Sequence, residues 1–279
     1  MSAIIIDGRL IREKVLEELK EQIACLNLHR PLKLAIFQYN PQISDALYVS
    51  SLKKVAKKLE VEVEVKTFED LETLKSAIYE YNVNDFVDGI MLQIANKSDY
   101  LHYTSLILPE KDVDGASPLN LGKLIRKDKG LRPATADAVI RILKEAGYEI
   151  RGKNACVLGR SFRSGLPIAI MLMNEDATCT VCHSYTKDIN VYTTEADILV
   201  VAVGRAGFIG ADMVKEGAFV IDVGINQVGD KVVGDVNFDE VKEKSAFITP
   251  VPGGVGSVTD VMIFRNLIKG VIFRNEKRY

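Results

Sequence analysis

The sequence predicts an α/β protein of two domains, and three observations carry that expectation. Strand-like and helix-like apolar patterns alternate along nearly the whole chain, which implies parallel sheets with helices on both faces. The short strand Ala155-Cys-Val-Leu158 runs directly into Gly159-Arg-Ser-Phe-Arg-Ser-Gly165, a tight turn followed by a helix start. Near the C-terminus, Ile248-Thr-Pro-Val-Pro-Gly-Gly-Val-Gly256 joins two prolines that restrict φ to three glycines that let backbone amides approach a ligand. A chain of 279 residues is long enough for one large or two medium domains.

Taken in order, residues 7–26 carry an apolar stripe at Ile11, Val15, Leu19, Ile23 and Leu26, the spacing of a helix face. Residues 32–37 read as a buried strand, 46–59 as a helix, 61–65 as an alternating strand and 71–81 as a helix. A strand at 87–94 leads to a loop at 109–115, and a helix at 135–146 stops at Gly147. Strands follow at 155–158, 178–182, 198–202, 218–223 and 246–249, with a last helix over 259–273 and a basic tail. The domain boundary is placed at the helix beginning at Thr135. Residues 1–134 plus 258–279 form the first α/β domain, and 135–257 the second, with the last helix returning to the first. The expected active site is a cleft between them.

Composition narrows the function. The chain is 47% apolar and 27% charged with net charge −2, so the concentrated positive charge that nucleic-acid binding needs is missing. Lys53, Lys54, Lys57 and Lys58 read as a solvated helix face. No apolar run has the length of a membrane span, the N-terminus lacks a signal-peptide pattern, and four cysteines in such a length imply a reducing compartment. The expected location is cytoplasmic. Cys179-Thr-Val-Cys182 lies on an alternating strand, where residues three apart point to opposite faces, so neither a metal nor a redox site is expected there.

The turn at 159–165 departs from GxGxxG, because serines stand at 161 and 164. Gly159 still permits the turn, Ser161 offers phosphate an amide and a hydroxyl, and Gly165 allows close packing at a helix N-terminus with Pro167 in its first turn. The end of the next strand, Cys182-His-Ser-Tyr-Thr186, has no carboxylate to bond a ribose 2′-hydroxyl. Arg160, Arg163 and Ser184 suit a 2′-phosphate instead, which favours NADP over NAD. His183 reads as a hydrogen-bonded strand-end residue rather than a catalytic one.

These residues resemble the bifunctional methylenetetrahydrofolate dehydrogenase/cyclohydrolases. Asp88-Gly-Ile-Met-Leu-Gln93 is similar to that family's DGxxxQ strand, and Pro109-Glu-Lys-Asp-Val-Asp-Gly115 with Asn120 and Gly122 to its PxKDVDGxxxxNxG stretch. Gly159-Arg-Ser161 with Gly165 and Pro167, Cys182-His-Ser184, Asp222-Val-Gly-Ile225, Val233-Gly-Asp-Val236 and the segment from Thr249 to Gly256 follow in the family's order. The resemblance covers nearly the whole chain. It implies a Rossmann-like NADP-binding second domain and an enzyme of one-carbon metabolism and purine biosynthesis. It further implies a homodimer acting on a folate, through hydride transfer from 5,10-methylenetetrahydrofolate and then hydrolysis of the methenyl cation to 10-formyltetrahydrofolate.

Site roles come from the same resemblance. Tyr48, Gln93 and Asp114 resemble the catalytic set: the ring that stacks on the aminobenzoyl group, the amide that positions a catalytic lysine, and the carboxylate that bonds the pterin. Pro252, Gly253, Gly254 and Gly256 form part of the folate wall, and Ile225 lies by the nicotinamide, beside Gly159, Arg160, Ser161 and Ser184 for the rest of the cofactor. The family's YxxxK pattern fails here, because Leu52 stands at the lysine position. Four residues advance a helix by about 400°, which leaves residue 52 close above Tyr48 and carries Lys53 about 100° further round. Ile94-Ala95-Asn96 and 133–138 also depart from the family pattern, as does Asn40. Hydration of a methenyl cation needs a group that manages protons on water, which leucine lacks, so cyclohydrolase activity is in doubt. A non-folate NADP-dependent oxidoreductase and a non-catalytic NADP-binding protein are the alternatives.

Overall fold

The computed structural model describes residues 2–277. In chain order its strands are β1 (Ile4–Ile5), β2 (Lys33–Tyr39), β3 (Glu62–Phe68), β4 (Gly89–Ile94), β5 (Asn154–Leu158), β6 (Thr178–Cys182), β7 (Ile198–Val201), β8 (Phe219–Asp222), β9 (Asn226–Val228), β10 (Lys231–Val233) and β11 (Phe247–Ile248). Its helices are α1 (Gly8–Cys25), α2 (Ile43–Leu59), α3 (Leu71–Val83), α4 (Lys97–Thr104), α5 (Pro118–Arg126), α6 (Ala134–Glu145), α7 (Gly165–Asn174), α8 (Asn190–Thr193), α9 (Phe238–Val241) and α10 (Val255–Lys277). They form two compact units. One takes the residues up to Arg12 and Thr135–Thr259, and the other takes Glu13–Ala134 and the residues from Asp260 onward.

The second of these units is built on a three-stranded parallel sheet in the order β3-β2-β4. All six residues of β4 are buried, as expected of a parallel strand covered on both faces. Helix starts are set by local chemistry. Asp70 accepts from the Thr73 amide to cap α3, Asn96 accepts from the Asp99 amide to cap α4, and the Asp45 carboxylate accepts from the Gln42 amide at the start of α2. The part of α10 in this unit buries Ile263, Phe264, Leu267 and Ile268 completely, and Asn266 donates to the Val113 and Arg132 carbonyls. Asp88, only 2% exposed, receives Arg30 at 2.7 Å, Arg274 at 3.1 Å and the Lys33 amide at 2.8 Å. That explains an aspartate ahead of β4: it ties three separate segments together.

Lys111 is buried, with its ammonium donating to the Tyr81 and Asn84 carbonyls where α3 ends. Burial, reinforced by the nearby Arg274 guanidinium, lowers its pKa to about 8. The folded state therefore holds fewer protons than the unfolded chain between roughly pH 8 and 10.5, and stability should rise with pH through that window. Urea unfolding at pH 7.5 and 9.5 should show this gain in the parent and lose it in Lys111→Met. Equal pH dependence in the two proteins would refute the assignment.

The other unit carries a six-stranded, all-parallel sheet in the order β1-β11-β8-β7-β5-β6, with β9 and β10 as a separate antiparallel ribbon. The strands β5, β7 and β8 bury nearly every side chain, and Leu158, Leu199, Val201, Val220 and Ile248 share one core cluster. Cys182 faces Cys156, with their sulfurs 3.9 Å apart, and burial pushes both thiols up; burial also raises half-buried Cys179 to about 11. No cluster of metal-ligating side chains occurs among the described residues, and no described helix is long and apolar enough to cross a membrane.

Three expectations change. Residues 2–12 belong with the nucleotide-type sheet, not with the first domain, because β1 adds to β11 as the edge strand. The last helix begins at Val255, so Gly256 lies in its first turn and only Pro252, Gly253 and Gly254 precede it. Residues 97–126 hold two helices, α4 and α5, that short amphipathic patterns did not reveal.

Candidate active site

In the unit built on β2, a row of polar side chains crosses the three-stranded sheet. Register aligns Thr67 of β3, Gln38 of β2 and Gln93 of β4 side by side. Thr67 donates to the Gln38 carbonyl oxygen at 3.3 Å, and the Gln38 amide donates to the Gln93 carbonyl oxygen at 2.7 Å. The Gln93 amide in turn reaches the Asp45 backbone carbonyl in α2 at 3.4 Å. Gln93 is 4% exposed, so its oxygen depends on protein partners, and Gln38 occupies one of its two acceptor positions.

Helix α2 places Tyr48 half-buried and Leu52 wholly buried on one face, while Lys53 and Lys54 are exposed. Beside Leu52 in sequence, the Ser51 hydroxyl donates to the carboxylate of Asp260, which is 5% exposed. The two aspartates of the Lys111–Gly115 turn have separate jobs. Asp112 is buried and accepts from the amides of Gly115 and Ser117 and from the Asn120 side chain, so it shapes the turn. Burial raises its pKa, and hydrogen bonds from Asn120 and Ser117 pull the other way. Asp114 is half-buried and accepts from the Tyr100 hydroxyl at 2.8 Å.

In the other unit, β5 delivers the chain into the glycine turn. Gly159 has φ +114°, and a Cβ there would come within 2.3 Å of the Ala202 carbonyl. At Gly165 a Cβ would come within 2.1 Å of the Gly159 carbonyl, so the turn closes onto the start of α7 only without side chains. Ser161 organises the turn: its carbonyl accepts from the amides of Ser164 and Leu166, and its hydroxyl from the Arg163 amide. Arg160 and Ser184 are both exposed at the neighbouring ends of β5 and β6. This close-packed turn at a ten-residue helix fits a dinucleotide pyrophosphate.

Two buried carboxylates order the remaining loops. Asp222, at the end of β8, accepts from the amides of Gly224, Asp235 and Val236; burial nevertheless pushes it up to about 6. Asp235 accepts from the amides of Val203, Gly204 and Arg205 and from Asn226. Ile225 follows, 70% exposed. Thr249 accepts from the Asp222 amide, and the Gly253 carbonyl accepts from the Gly8 amide, which anchors the segment holding Pro252, Gly253 and Gly254 within this unit. His183 takes hydrogen bonds within its own turn, in keeping with a strand-end residue.

The structure thus groups Tyr48, Leu52, Gln93 and Asp114 on one unit and Gly159, Arg160, Ser161, Ser184, Ile225 and the Pro252–Gly256 stretch on the other. Sequence reading missed Gln38, Tyr100 and Asp260. A glutamine interrupting the apolar run of β2 was the one visible signal; Tyr100 lies in a helix that was not expected, and the partner of Asp260 is 209 residues away in the chain.

A parallel nucleotide sheet with a glycine turn, joined to a second α/β unit carrying an amide, a carboxylate and a tyrosine, defines a two-unit nicotinamide-dinucleotide dehydrogenase. Family models resolve the class further: residues 6–114 match the tetrahydrofolate dehydrogenase/cyclohydrolase catalytic domain, and residues 133–275 match that family's NAD(P)-binding domain. The chain belongs to the tetrahydrofolate dehydrogenase/cyclohydrolase family. It is 40% identical to the bifunctional protein FolD of Bacillus velezensis over 277 residues, covering 96% of this chain and 98% of that one. Among solved structures, the bifunctional FolD of Campylobacter jejuni superposes with a TM-score of 0.93 at 36% identity, covering 98% of this chain and all of that one. The Trypanosoma brucei methylenetetrahydrofolate dehydrogenase-cyclohydrolase, solved with NADP and an inhibitor, gives 0.93 at 35% identity with both chains fully covered.

Proposed function

We propose that this protein catalyses the NADP-dependent oxidation of 5,10-methylenetetrahydrofolate to 5,10-methenyltetrahydrofolate, with little or no hydrolysis to 10-formyltetrahydrofolate. The dehydrogenase reading rests on the glycine turn at Gly159 followed by a β6 end that offers Ser184 and neighbouring Arg160 in place of a carboxylate. Bound NADP supplies the hydride acceptor, and the chain's task is to orient the two reactants and keep the folate ring in register. On this reading Asp114 accepts from the pterin's amino and ring nitrogens, Tyr48 stacks on the aminobenzoyl group, and Gln93 is the amide that in the family positions the catalytic lysine. Ile225 and the stretch from Pro252 to Gly256 border the nicotinamide and folate.

The doubt about hydrolysis rests on a different observation: Leu52 is fully buried, and Gln93 already accepts from Gln38. There is thus no ammonium at position 52, and the Gln93 oxygen beside it already holds one donor. The protein is read as a cytoplasmic homodimer serving one-carbon supply, including purine biosynthesis.

An absorbance assay for the methenyl product with NADP and with NAD tests the oxidation. NADP should bind more tightly, and Arg160→Ala should weaken it by about 1–3 kcal/mol, the range of a lost charge-assisted hydrogen bond. Equal affinity for the two cofactors in the parent protein would overturn the cofactor assignment.

A further inference from the structure

The turn that follows β6 is more ordered than a connecting loop requires. The Thr186 amide donates to the His183 carbonyl at 2.8 Å, and the His183 amide donates to the Thr186 hydroxyl at 3.0 Å. Within this frame the Tyr185 amide donates to His183 Nδ1 at 3.2 Å, and the two rings meet edge to face at 6.2 Å. The backbone of Tyr185 is therefore fixed, while its side chain is 80% exposed. The turn also lies against the glycine turn of the neighbouring strand: Leu158 pairs with Cys182, and the Gly159 amide donates to the Cys182 carbonyl at 2.8 Å. Across that junction the Arg160 guanidinium carbon sits 5.9 Å from the centre of the Tyr185 ring.

A solvent-exposed aromatic held this firmly, with an arginine at its face, calls for an explanation in binding. An arginine at a turn has many rotamers, and capturing a phosphate means losing most of them. A ring face restricts the guanidinium through cation–π attraction and flat stacking, yet leaves its N–H edge open to an anion. Ser184, one residue before Tyr185, is exposed on the same turn and adds a hydroxyl donor.

We propose that Tyr185 is a specificity-determining residue for the cofactor: it holds Arg160 in place for the 2′-phosphate of NADP and so sets the preference over NAD. It acts through Arg160, as a positioning residue. His183 serves the same end one step back, since its ring nitrogen fixes the Tyr185 backbone.

This inference rests on the NADP reading above, and the experiment separates the two. Calorimetric titration with 2′,5′-ADP and with 5′-AMP reports the 2′-phosphate contribution without folate or turnover. In Tyr185→Ala, affinity for 2′,5′-ADP should fall about two- to fivefold while 5′-AMP affinity holds, the scale of an exposed cation–π contact. Tyr185→Phe keeps the ring face and should retain most of the parent's preference. If the parent itself binds both nucleotides equally, the NADP reading fails and this proposal with it. If the preference is present and disappears in Arg160→Ala but survives in Tyr185→Ala, the Tyr185 proposal alone is wrong. A parallel loss for both nucleotides in Tyr185→Ala would likewise overturn it, because that result marks a general effect on the turn.

Discussion

Purified protein is expected to oxidise methylenetetrahydrofolate but to release the methenyl product largely unhydrolysed, with the methenyl absorbance at near-neutral pH decaying at close to its enzyme-free rate. That is the expected result from a buried Leu52 beside a Gln93 whose oxygen accepts from Gln38. Leu52→Lys alone should raise hydrolysis only modestly. The new ammonium would enter an apolar, fully buried position and compete with Gln38 for the Gln93 oxygen. Desolvating a lysine without a committed partner depresses its pKa and leaves it poorly placed. Adding Gln38→Leu withdraws the competitor, so the double variant should hydrolyse faster than the single one; Thr67, which is exposed, loses an acceptor that water can replace. Misplacement by about 1 Å still limits the gain, since an error of that size can cost roughly a hundredfold. Robust hydrolysis by the parent would overturn this account. Its loss in Lys53→Ala would place the missing lysine one residue on, and its loss in Asp260→Asn would assign the proton handling to the Ser51–Asp260 pair.

Asp114→Ala is expected to abolish measurable folate binding, a loss of roughly a hundredfold or more, while NADP titrates as in the parent. A carboxylate that accepts two donors from a pterin edge leaves both unpaired when it is removed, and buried unpaired donors are heavily penalised. Asp114 suits this test because Asp112, not Asp114, receives the amides of Gly115 and Ser117 and the Asn120 side chain. The turn should therefore survive the substitution. Tyr100→Phe removes the hydroxyl that orients Asp114 and should weaken folate several-fold, the scale of one such hydrogen bond. Calorimetry showing unchanged folate affinity in Asp114→Ala would assign the residue to the fold alone.

The sheets were legible from the sequence because their strands are simple. In β5, β7 and β8 the buried residues are a short apolar run, and such runs between helical patterns have one reading in an α/β chain. The glycine turn was equally plain, since Gly159 and Gly165 stand where a side chain would strike backbone. Other features depend on register and distance. Nothing in β2 or β4 alone says that Gln38 lies opposite Gln93, and Ser51 meets a carboxylate 209 residues away. The helices α4 and α5 escaped because they are eight and nine residues long, too short for a persuasive stripe. The start of α10 was masked by Gly253, Gly254 and Gly256, which read as loop although Gly256 lies within the first turn. Asp222 and Asp235 were quoted as motif residues, but their work is to gather loop amides, which no side-chain pattern reports.

The pairing of Ile4–Ile5 with Phe247–Ile248 has a consequence for synthesis on the ribosome. The edge of the nucleotide sheet joins Ile4 and Ile5 to Phe247 and Ile248, which lie far apart in the chain. The other unit is likewise completed by the segment that begins at Asp260. Neither unit is a continuous stretch of polypeptide, so neither can be complete until its distant C-terminal part, up to Thr259 in one and from Asp260 onward in the other, has been made. Contacts this distant in sequence are slow to form, and until β11 is made and docks the nascent protein presents the open edge of β8. Cells making this protein therefore have reason to shield that edge during translation, and fragments cut at the apparent domain boundary near residue 135 will not reproduce either unit.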